Sequence, residues 1–242
     1  MNTKAIILAA GKSSRLWPLT LETPKPLLDI GGTQPIARLV SMLTKLGIQD
    51  IVVAVGYKKE KFFDALGSRV RFREFSDFDT KNNLHTLWSI RDELTEDTLV
   101  LYADLVFEYE ILQKLLLCKA DICLTIDTNE LRRESPQVKI EGGRIKKIDK
   151  DDSTCNFLGI TKFSSRGARE LVRAMEMLVA DKPNAYYSDA INILIREGIE
   201  ATPVDIAGSK WIEIDTLKDL EAAGKLIRTH LKNRFRSEMR DF

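Results

Sequence analysis

Cysteine and histidine are scarce in this chain, which limits the kinds of site that it can build. Among 242 residues there are three cysteines and two histidines, His85 and His230. Cys118, Cys123 and Cys155 lack the spacing of zinc ligands, so no structural zinc site is predicted. Their odd number predicts reduced thiols, as in a cytoplasmic protein.

Long apolar runs and an excess of charge of one sign are also missing. The longest apolar run near the start, residues 5–10, is too short for a signal sequence or a membrane span. The 37 basic and 36 acidic side chains give a net charge of +1. This balance predicts no general affinity for nucleic acid, so any anion site must be built locally. We expect a soluble, cytoplasmic protein.

The first half of the chain alternates between strand and helix patterns. Residues 5–10, 51–56 and 99–103 form continuous apolar runs typical of strands that are buried on both faces. Residues 35–46 and 84–94 show helical spacing of apolar side chains. The alternation predicts an α/β fold, with an open, mixed but mainly parallel sheet and helices on both faces.

The second half is less regular and richer in short strand patterns, so we expect a smaller β-rich part there. Gly142-Gly143 predicts a hairpin turn, because paired glycines supply the positive φ that such turns need. No linker, repeat or low-complexity segment interrupts the chain. We therefore expect a single domain over residues 1–242, with halves of about 1–118 and 119–242.

The most informative stretch is the polar turn after the first strand pattern. Small residues there let the backbone approach a base and phosphates, and successive turn N–H groups can hold phosphate oxygens. Arg15 offers a fork for a triphosphate, and Lys25 a compact charge between two prolines that restrict its backbone. The stretch is not a P-loop, because Ile6 stands where that motif has glycine. It predicts a nucleoside triphosphate site formed by Leu8, Ala9, Ala10, Gly11, Lys12, Ser13, Ser14 and Arg15; any fragment of it alone would also suit an ordinary strand and loop.

Two carboxylates stand at the ends of strand patterns. Asp104 follows a buried strand, at the edge where open α/β sheets bind ligands. In the Trp211–Asp215 stretch, alternation places Trp211, Glu213 and Asp215 on one face. Carboxylates on one face repel each other unless a cation or separate partners compensate. A turn role for Asp104 and a helix-capping role for Asp215 are the alternatives.

At these residues the chain resembles the nucleotidyltransferase family with a Rossmann-like core. The signature is a small-residue strand, Gly-x-Gly-Ser/Thr-Arg and then Pro-Lys, matched here by residues 9–15 and 24–25. Family members usually carry glycine where Ser13 stands. The resemblance covers nearly the whole chain and implies that Asp104 and Asp215 hold Mg²⁺. It also implies that residues 1–118 bind a nucleotide and residues 119–242 an acceptor.

The start of the helix pattern at Asn82 resembles the cytidylyltransferase branch that acts on phosphocholine and 2-aminoethylphosphonate. An amide can donate to and accept from a pyrimidine edge, so Asn82 or Asn83 is expected to read cytosine, with Thr86 beside them. Simple helix capping by asparagine is the alternative. For His85 a structural role is favoured over lining the base pocket.

The acceptor is expected to carry an ammonium group. An aromatic ring beside a carboxylate attracts an ammonium group, and Trp211 with Glu213 and Tyr187 with Asp189 offer such pairs. The resemblance places acceptor contacts in the second half of the chain. Packing of Trp211 and helix capping by Asp189 are the alternatives. The predicted acceptor-binding residues are Asn156, Tyr187, Asp189, Trp211 and Glu213.

The resemblance implies Mg²⁺-dependent transfer of CMP from CTP to a small phosphate or phosphonate acceptor, with release of pyrophosphate. The expected catalytic residues are Lys25, Arg15, Asp104 and Asp215. The alternatives are a sugar-1-phosphate or polyol-phosphate nucleotidylyltransferase that uses another nucleotide, and a nucleotide-binding module without catalysis.

The basic C-terminal stretch, with its apolar stripe of Ile227, Leu231, Phe235 and Met239, is expected to pack on its own domain. Contact with a membrane or with a second subunit, as in a homodimer, stays open.

Overall fold

The fold combines one large mixed sheet, helices and a small two-stranded sheet. The computed structural model describes residues 3–129, 131–132, 135–149 and 153–238, with side chains of the last helix described up to residue 229. The strands are β1 (Thr3–Ala9), β2 (Ile51–Val55), β3 (Arg71–Glu74), β4 (Asp97–Tyr102), β5 (Leu105–Phe107), β6 (Ile122–Asp127), β7 (Gln137–Glu141), β8 (Arg144–Ile148), β9 (Cys155–Phe163), β10 (Ala201–Asp205) and β11 (Trp211–Glu213). The helices are α1 (Pro35–Lys45), α2 (Lys59–Leu66), α3 (Asn83–Ser89), α4 (Glu110–Leu117), α5 (Ser165–Val179), α6 (Tyr187–Arg196) and α7 (Leu217–Glu238).

The large sheet has the strand order β10-β6-β9-β4-β1-β2-β3, and the β7–β8 hairpin joins it through β9. Neighbouring strands in this order are parallel except at β9, which runs antiparallel to both β4 and β6; the attached hairpin is antiparallel as well. This confirms the predicted mixed, mainly parallel α/β sheet. Because β9 lies between β4 and β6, strands from both sides of residue 118 share one sheet. The division into two functional halves stays a prediction.

The central strand β1 is apolar from Ala5 onward because both of its faces are buried. Ile6 and Leu8 pack into the core on one face of the sheet, and Ala5 and Ile7 into the core on the other. A strand with neighbours on both sides and both faces covered favours apolar side chains, and the buried Lys4 near its start is paired with Glu93. A third apolar cluster is formed by side chains of β5, of α7 and of the chain around β11, and it includes Val106.

The structure differs from the sequence analysis in three places before the site is considered. A disulfide joins Cys118 to Cys123, so the prediction of reduced thiols is wrong for this pair; Cys155 is free and buried. The turn between α4 and β6 brings the two Cα atoms to 6.4 Å, within the range that a disulfide spans. The sequence analysis also predicts neither β5 nor α4, and α3 ends at Ser89, short of the predicted residue 94.

Helix α7 packs against the third cluster through Ala223 and Ile227, as the apolar stripe predicts. The side chains of Leu231 and Phe235, and all of Met239, lie outside the described residues. Within the described part of the chain, none of the helices combines the length and the apolar character that a membrane span requires.

Candidate active site

A cleft of about 480 Å³ opens beside the carboxyl ends of β1 and β4. Its lining contains every residue from Leu8 to Arg15, together with Asn82, Asn83 and Thr86. The structure therefore brings together all the residues that the sequence analysis assigns to the nucleotide. Lys25, Asp104 and Glu213 lie in the same cleft.

The loop after β1 turns sharply at Ser13, which has a φ of 54° and a left-handed backbone. The Ser13 carbonyl accepts hydrogen bonds from the Thr20 hydroxyl (2.8 Å) and from the Leu16 amide (3.1 Å). Leu16 is buried in the third apolar cluster and anchors the loop. Glycine adopts this conformation without steric cost, which explains why glycine suits the family signature at this position.

Two cations and three carboxylates meet at the cleft; we call Arg15, Lys25, Asp104, Glu213 and Asp215 the charge centre. The first four line the cleft, and Asp215 contacts both cations. The Lys25 ammonium lies 2.8 Å from Asp104 Oδ2 and 3.1 Å from Asp215 Oδ1, and it donates to the Ile214 carbonyl. Arg15 Nη1 lies 2.7 Å from Asp215 Oδ2. Burial alone would lower the pKa of Lys25, but the two aspartates outweigh it and raise that pKa.

The small β5–β11 sheet explains how residues so distant in sequence meet. Asp104 comes directly before β5, and Glu213 of β11 pairs with Leu105 of β5. The Ile214 amide then donates to the Asp104 carbonyl at 3.0 Å. This ladder holds Glu213 and Asp215 beside Asp104. The carboxylate that accepts the first amides of the turn into α7 is that of Asp219, so Asp215 does not cap this helix.

Glu213 contributes a third carboxylate, although the sequence analysis assigns it to the acceptor. One oxygen each of Asp104, Glu213 and Asp215 lie within 4.8 Å of one another. Burial, followed by repulsion from Asp104 and Asp215, raises the pKa of Glu213 to about 7. Ser135 Oγ donates to its carboxylate at 3.2 Å. Three carboxylates exceed the two cations of the charge centre, and carboxylate oxygens are ligands that Mg²⁺ prefers. The residues present therefore fit this metal.

Two of the predicted acceptor residues lie away from the cleft at the start of α6. Tyr187 is fully buried, and its hydroxyl lies 3.2 Å from that of Thr161. The Asp189 carboxylate accepts from the Tyr186 amide at 2.8 Å and caps α6, as the alternative for this residue predicts. Tyr186, which is half exposed, lines the cleft in place of Tyr187.

Trp211 and Asn156 also lie outside the cleft, because both hold the loop after β6. The Trp211 side chain is buried, its Nε1 donates to Asp127 at 2.8 Å, and the Arg132 guanidinium lies 4.4 Å from its ring. Asn156 is buried and its Oδ1 accepts from the Arg132 amide at 2.7 Å. This loop also carries Ser135. The structure thus does not place Trp211 and Asn156 in the lining of this cleft, and their role toward an acceptor stays a prediction.

The sequence analysis does not assign several residues that line the cleft, among them Phe78, Asp79, Lys81, Tyr102 and Tyr186. For Tyr102 a signal existed in Gly159, since glycine inside a buried strand marks a close approach. A Cβ at residue 159 would lie 2.2 Å from the Tyr102 ring. Asp79 pairs with Lys12 across the cleft, and no pattern in the sequence predicts that pair.

The two asparagines expected to read cytosine line the cleft, but their side chains already have partners. Asn83 Nδ2 donates to the Tyr102 hydroxyl at 3.0 Å, and its Oδ1 accepts from the Tyr187 amide at 2.9 Å. Asn82 Nδ2 donates to the Asn184 carbonyl at 3.0 Å. These bonds tie the start of α3 to the chain around α6.

Comparison with known proteins agrees with the site. The family model of the nucleotidyl transferases matches residues 4–129, a little more than half of the chain. The chain belongs to the nucleotidyl transferase family. As a member of this family it is an enzyme, a nucleotidyltransferase, and its relatives include a cytidylyltransferase branch.

Three similar proteins illustrate this branch. The CTP:phosphoglutamine cytidylyltransferase of Campylobacter jejuni is 29% identical, over 90% of this chain and 97% of the relative. The 2-aminoethylphosphonate cytidylyltransferase of Lancefieldella rimae is 28% identical, over 91% and 92%. The solved CTP:phosphocholine cytidylyltransferase of Streptococcus pneumoniae superposes with a TM-score of 0.76 at 24% identity, over 94% of this chain and 100% of that structure. The last likeness supports the fold.

Proposed function

We propose that the chain is a Mg²⁺-dependent cytidylyltransferase that transfers CMP from CTP to a small phosphate or phosphonate acceptor. The observation that carries the proposal is the charge centre, in which Lys25 lies between Asp104 and Asp215 in a cleft lined by the loop after β1. The names of the similar proteins from Campylobacter jejuni and Lancefieldella rimae support CTP as the nucleotide.

The reaction needs no protein nucleophile, because the acceptor is already an anion. An oxygen of the acceptor forms a bond to the α-phosphorus while the bond to the bridging oxygen breaks and pyrophosphate leaves. The protein must align the two anions and offset their charge. Lys25 supplies a buried positive charge at the reacting phosphorus, and Arg15 exchanges Asp215 for the phosphates of the leaving group.

The metal would be held by Asp104 and Asp215, with Glu213 beside them. When bound, Mg²⁺ neutralises phosphate oxygens during transfer. The remaining work falls to the protein. Ser135, which donates to Glu213, keeps that carboxylate oriented, and the Ile214 carbonyl fixes the Lys25 ammonium between the aspartates.

An acceptor with an ammonium head fits the cleft better than a neutral one. Tyr102 and Tyr186 line it together with Glu213, so aromatic rings and a carboxylate share one cavity. A cation is attracted to both kinds of group, which favours an acceptor with an ammonium head. This version of the ammonium site keeps Glu213 from the sequence analysis and replaces Tyr187 and Trp211 with Tyr186 and Tyr102.

Pyrophosphate release tests the proposal with CTP, UTP, ATP and GTP against four acceptors. These are 2-aminoethylphosphonate, phosphocholine, glycerol phosphate and glucose 1-phosphate. We expect kcat/KM to be highest for CTP with an amine-bearing acceptor, at least about tenfold above glycerol phosphate, since a cation–π contact contributes about 1–2 kcal/mol. EDTA should stop release and Mg²⁺ restore it. Preference for glucose 1-phosphate would overturn the acceptor class, and nucleotide binding without any release would overturn the activity.

A further inference from the structure

The start of α3 is bonded to a segment far away in sequence, residues 182–187, which leads into α6. We call Asn82, Asn83, Leu84 and His85 the α3 bracket. Its main chain contributes two hydrogen bonds, from the Asn82 amide to the Pro183 carbonyl (3.1 Å) and from the Leu84 amide to the Ala185 carbonyl (3.3 Å). The α3 bracket therefore holds residues 182–187 by main-chain hydrogen bonds at two positions, Pro183 and Ala185.

Side chains of the bracket add three further bonds. Asn82 Nδ2 donates to the Asn184 carbonyl, Asn83 Oδ1 accepts from the Tyr187 amide, and His85 Nε2 contacts the Lys182 carbonyl at 2.9 Å. A carbonyl oxygen only accepts, so Nε2 of His85 carries the hydrogen. His85 is 3% exposed, and without this partner a buried donor would be left unsatisfied.

The held segment delivers one side chain to the cleft, that of Tyr186. Because half of this side chain is exposed, its own packing restrains it weakly. The main chain on either side is restrained firmly, since the Ala185 carbonyl and the Tyr187 amide are both bonded to the bracket. The position of the Tyr186 ring therefore depends on α3.

Asn83 also ties the segment to the strand that leads to the charge centre. Its Nδ2 donates to the hydroxyl of Tyr102, which stands two residues before Asp104 at the end of β4. Tyr102 in turn packs edge-on against the Tyr187 ring, with centroids 5.7 Å apart. One side-chain amide thus links the Tyr186 segment to the strand that ends two residues before Asp104.

We propose that His85 and Asn83 are positioning residues that hold Tyr186 as a wall of the acceptor site, and that they do not read the nucleobase. The proposal rests on the proposed function, because it takes the cleft to hold an acceptor. The side-chain amide of Asn83 donates to Tyr102 and accepts from the Tyr187 amide, so these two bonds fix its orientation and direct it toward the Tyr186 segment. Nε2 of His85 donates its hydrogen to the Lys182 carbonyl.

The test compares His85→Leu with His85→Gln, whose amide keeps a donor for the Lys182 carbonyl. We expect His85→Leu to raise KM for the acceptor about tenfold, because one lost hydrogen bond corresponds to about 1.4 kcal/mol. The Kd of CTP, measured by calorimetry without acceptor, should change less than about twofold. His85→Gln should restore most of the acceptor KM. The acceptor used is whichever one the wild-type enzyme turns over best.

A double-variant cycle shows whether His85 acts through the ring. Tyr186→Ala should raise the acceptor KM by itself, and His85→Leu should add little to it in the double variant. Fully additive effects would overturn the inference. So would a rise in the Kd of CTP that exceeds the rise in acceptor KM, since this would place His85 on the nucleotide side.

Asn192→Ala provides a matched control on α6, the helix that begins directly after Tyr186. Asn192 holds α6 to Ile148 through two hydrogen bonds of 2.8 Å and makes neither of them to residues 182–187. This variant should lower Tm without changing the acceptor KM. An equal rise in acceptor KM for Asn192→Ala would mean that general loosening of α6 accounts for the effect, and would overturn the inference.

Amide hydrogen exchange separates this inference from the proposed function, because it needs no turnover. In the free protein, His85→Leu should speed exchange at the Ala185 and Tyr187 amides by at least about tenfold, and Asn192→Ala should leave both unchanged. A wild-type enzyme inactive toward every acceptor would defeat the proposed function alone. Unchanged exchange in His85→Leu would defeat the bracket itself.

Discussion

Lys25 and Asp215 form an ion pair of 3.1 Å although 190 positions separate them in the chain. The Lys25 side chain of this pair is buried, and its ammonium also contacts Asp104. A single cation thus joins the loop region near the start of the chain to β4 and to the end of β11. Three segments must be in place at once for the charge centre to exist.

The aspartates of the charge centre are expected to be essential for turnover. Asp104→Asn and Asp215→Asn each remove one charge from the proposed Mg²⁺ ligands while keeping the side-chain shape. Each should lower kcat at least about a hundredfold, because a catalytic metal contributes several kcal/mol. Steady-state pyrophosphate release at saturating Mg²⁺ measures this effect.

Asp92→Asn is the matched control for these two variants. Asp92 is also paired with an arginine, Arg73, but it does not line the cleft. It should keep kcat within about twofold, as expected for a surface ion pair. Near-normal kcat in Asp104→Asn or Asp215→Asn would remove that aspartate from the metal site.

The two cations of the charge centre should differ in the kinetic constant that they control. Lys25→Ala should depress kcat, because the buried ammonium acts on charge at the reacting phosphorus. Arg15→Ala should also raise KM for the nucleotide, because the exposed guanidinium meets the triphosphate in the ground state. Lys58→Ala, which breaks a pair with Glu22 outside the cleft lining, should leave both constants near wild type. If the kcat and KM effects are exchanged, so are the roles.

The close contact between Gly159 and Tyr102 predicts a large effect for a single methyl group. Gly159 has a φ of 76°, and a Cβ there would lie 2.2 Å from the Tyr102 ring. Gly159→Ala should destabilise the protein by about 2–4 kcal/mol through overpacking and backbone strain, and should raise KM by moving Tyr102. Gly143→Ala, at a φ of 75° with open space around it, should cost only about 1 kcal/mol. Urea unfolding of both variants measures the difference, and equal losses would show that strain alone decides.

Stability is expected to fall in acid as Glu93 becomes protonated. Both oxygens of this buried carboxylate accept from Arg71 at 2.8 Å, and Lys4 donates to one of them at 2.9 Å. The Arg71 hydrogen bonds, aided by Lys4 and opposed by burial, lower the pKa of Glu93 from about 4.5 to about 2. A lowered pKa stabilises the folded state above the unfolded pKa, and this contribution is lost as pH falls from about 4.5 to about 2.

Glu93→Gln isolates that contribution. The free energy of unfolding of the wild type should exceed that of the variant by about 2 kcal/mol near pH 7, allowing for solvent screening at the half-exposed Arg71. The gap should close as the pH approaches 2. Chemical unfolding between pH 2 and 7 gives both curves, and parallel curves would show that Glu93 is not the group that titrates.

The part of the cleft that we propose for the nucleotide follows from local sequence to an unusual degree. Residues 8–15 line the cleft because a buried parallel strand must end at the edge where ligands bind, and the loop that follows it lies there by necessity. The glycine that the family signature has at position 13 also has a local reason, since Ser13 adopts a φ of 54° that glycine reaches without steric cost. The α/β order of the sheet follows from the same apolar runs.

The acceptor side could not be predicted in the same way, because long-range packing decides it. Alternation along β11 correctly separates Ile212 and Ile214 from Trp211. It does not reveal that the loop carrying Arg132 covers Trp211 while Glu213 remains open to the cleft. At the start of α6, choosing Tyr186 over Tyr187 requires the contacts that α3 makes from a hundred residues away.

The position of β9 sets an order in which a growing chain acquires its parts. β1, β2, β3 and β4 can pair as soon as residue 102 has been made, but β4 has a bare edge until β9 arrives to cover it. Lys25 and Asp104 wait longer still, because Glu213 and Asp215 are synthesised after every strand of the large sheet. During synthesis the loop after β1 is therefore present long before Glu213 and Asp215, the carboxylates that complete the charge centre.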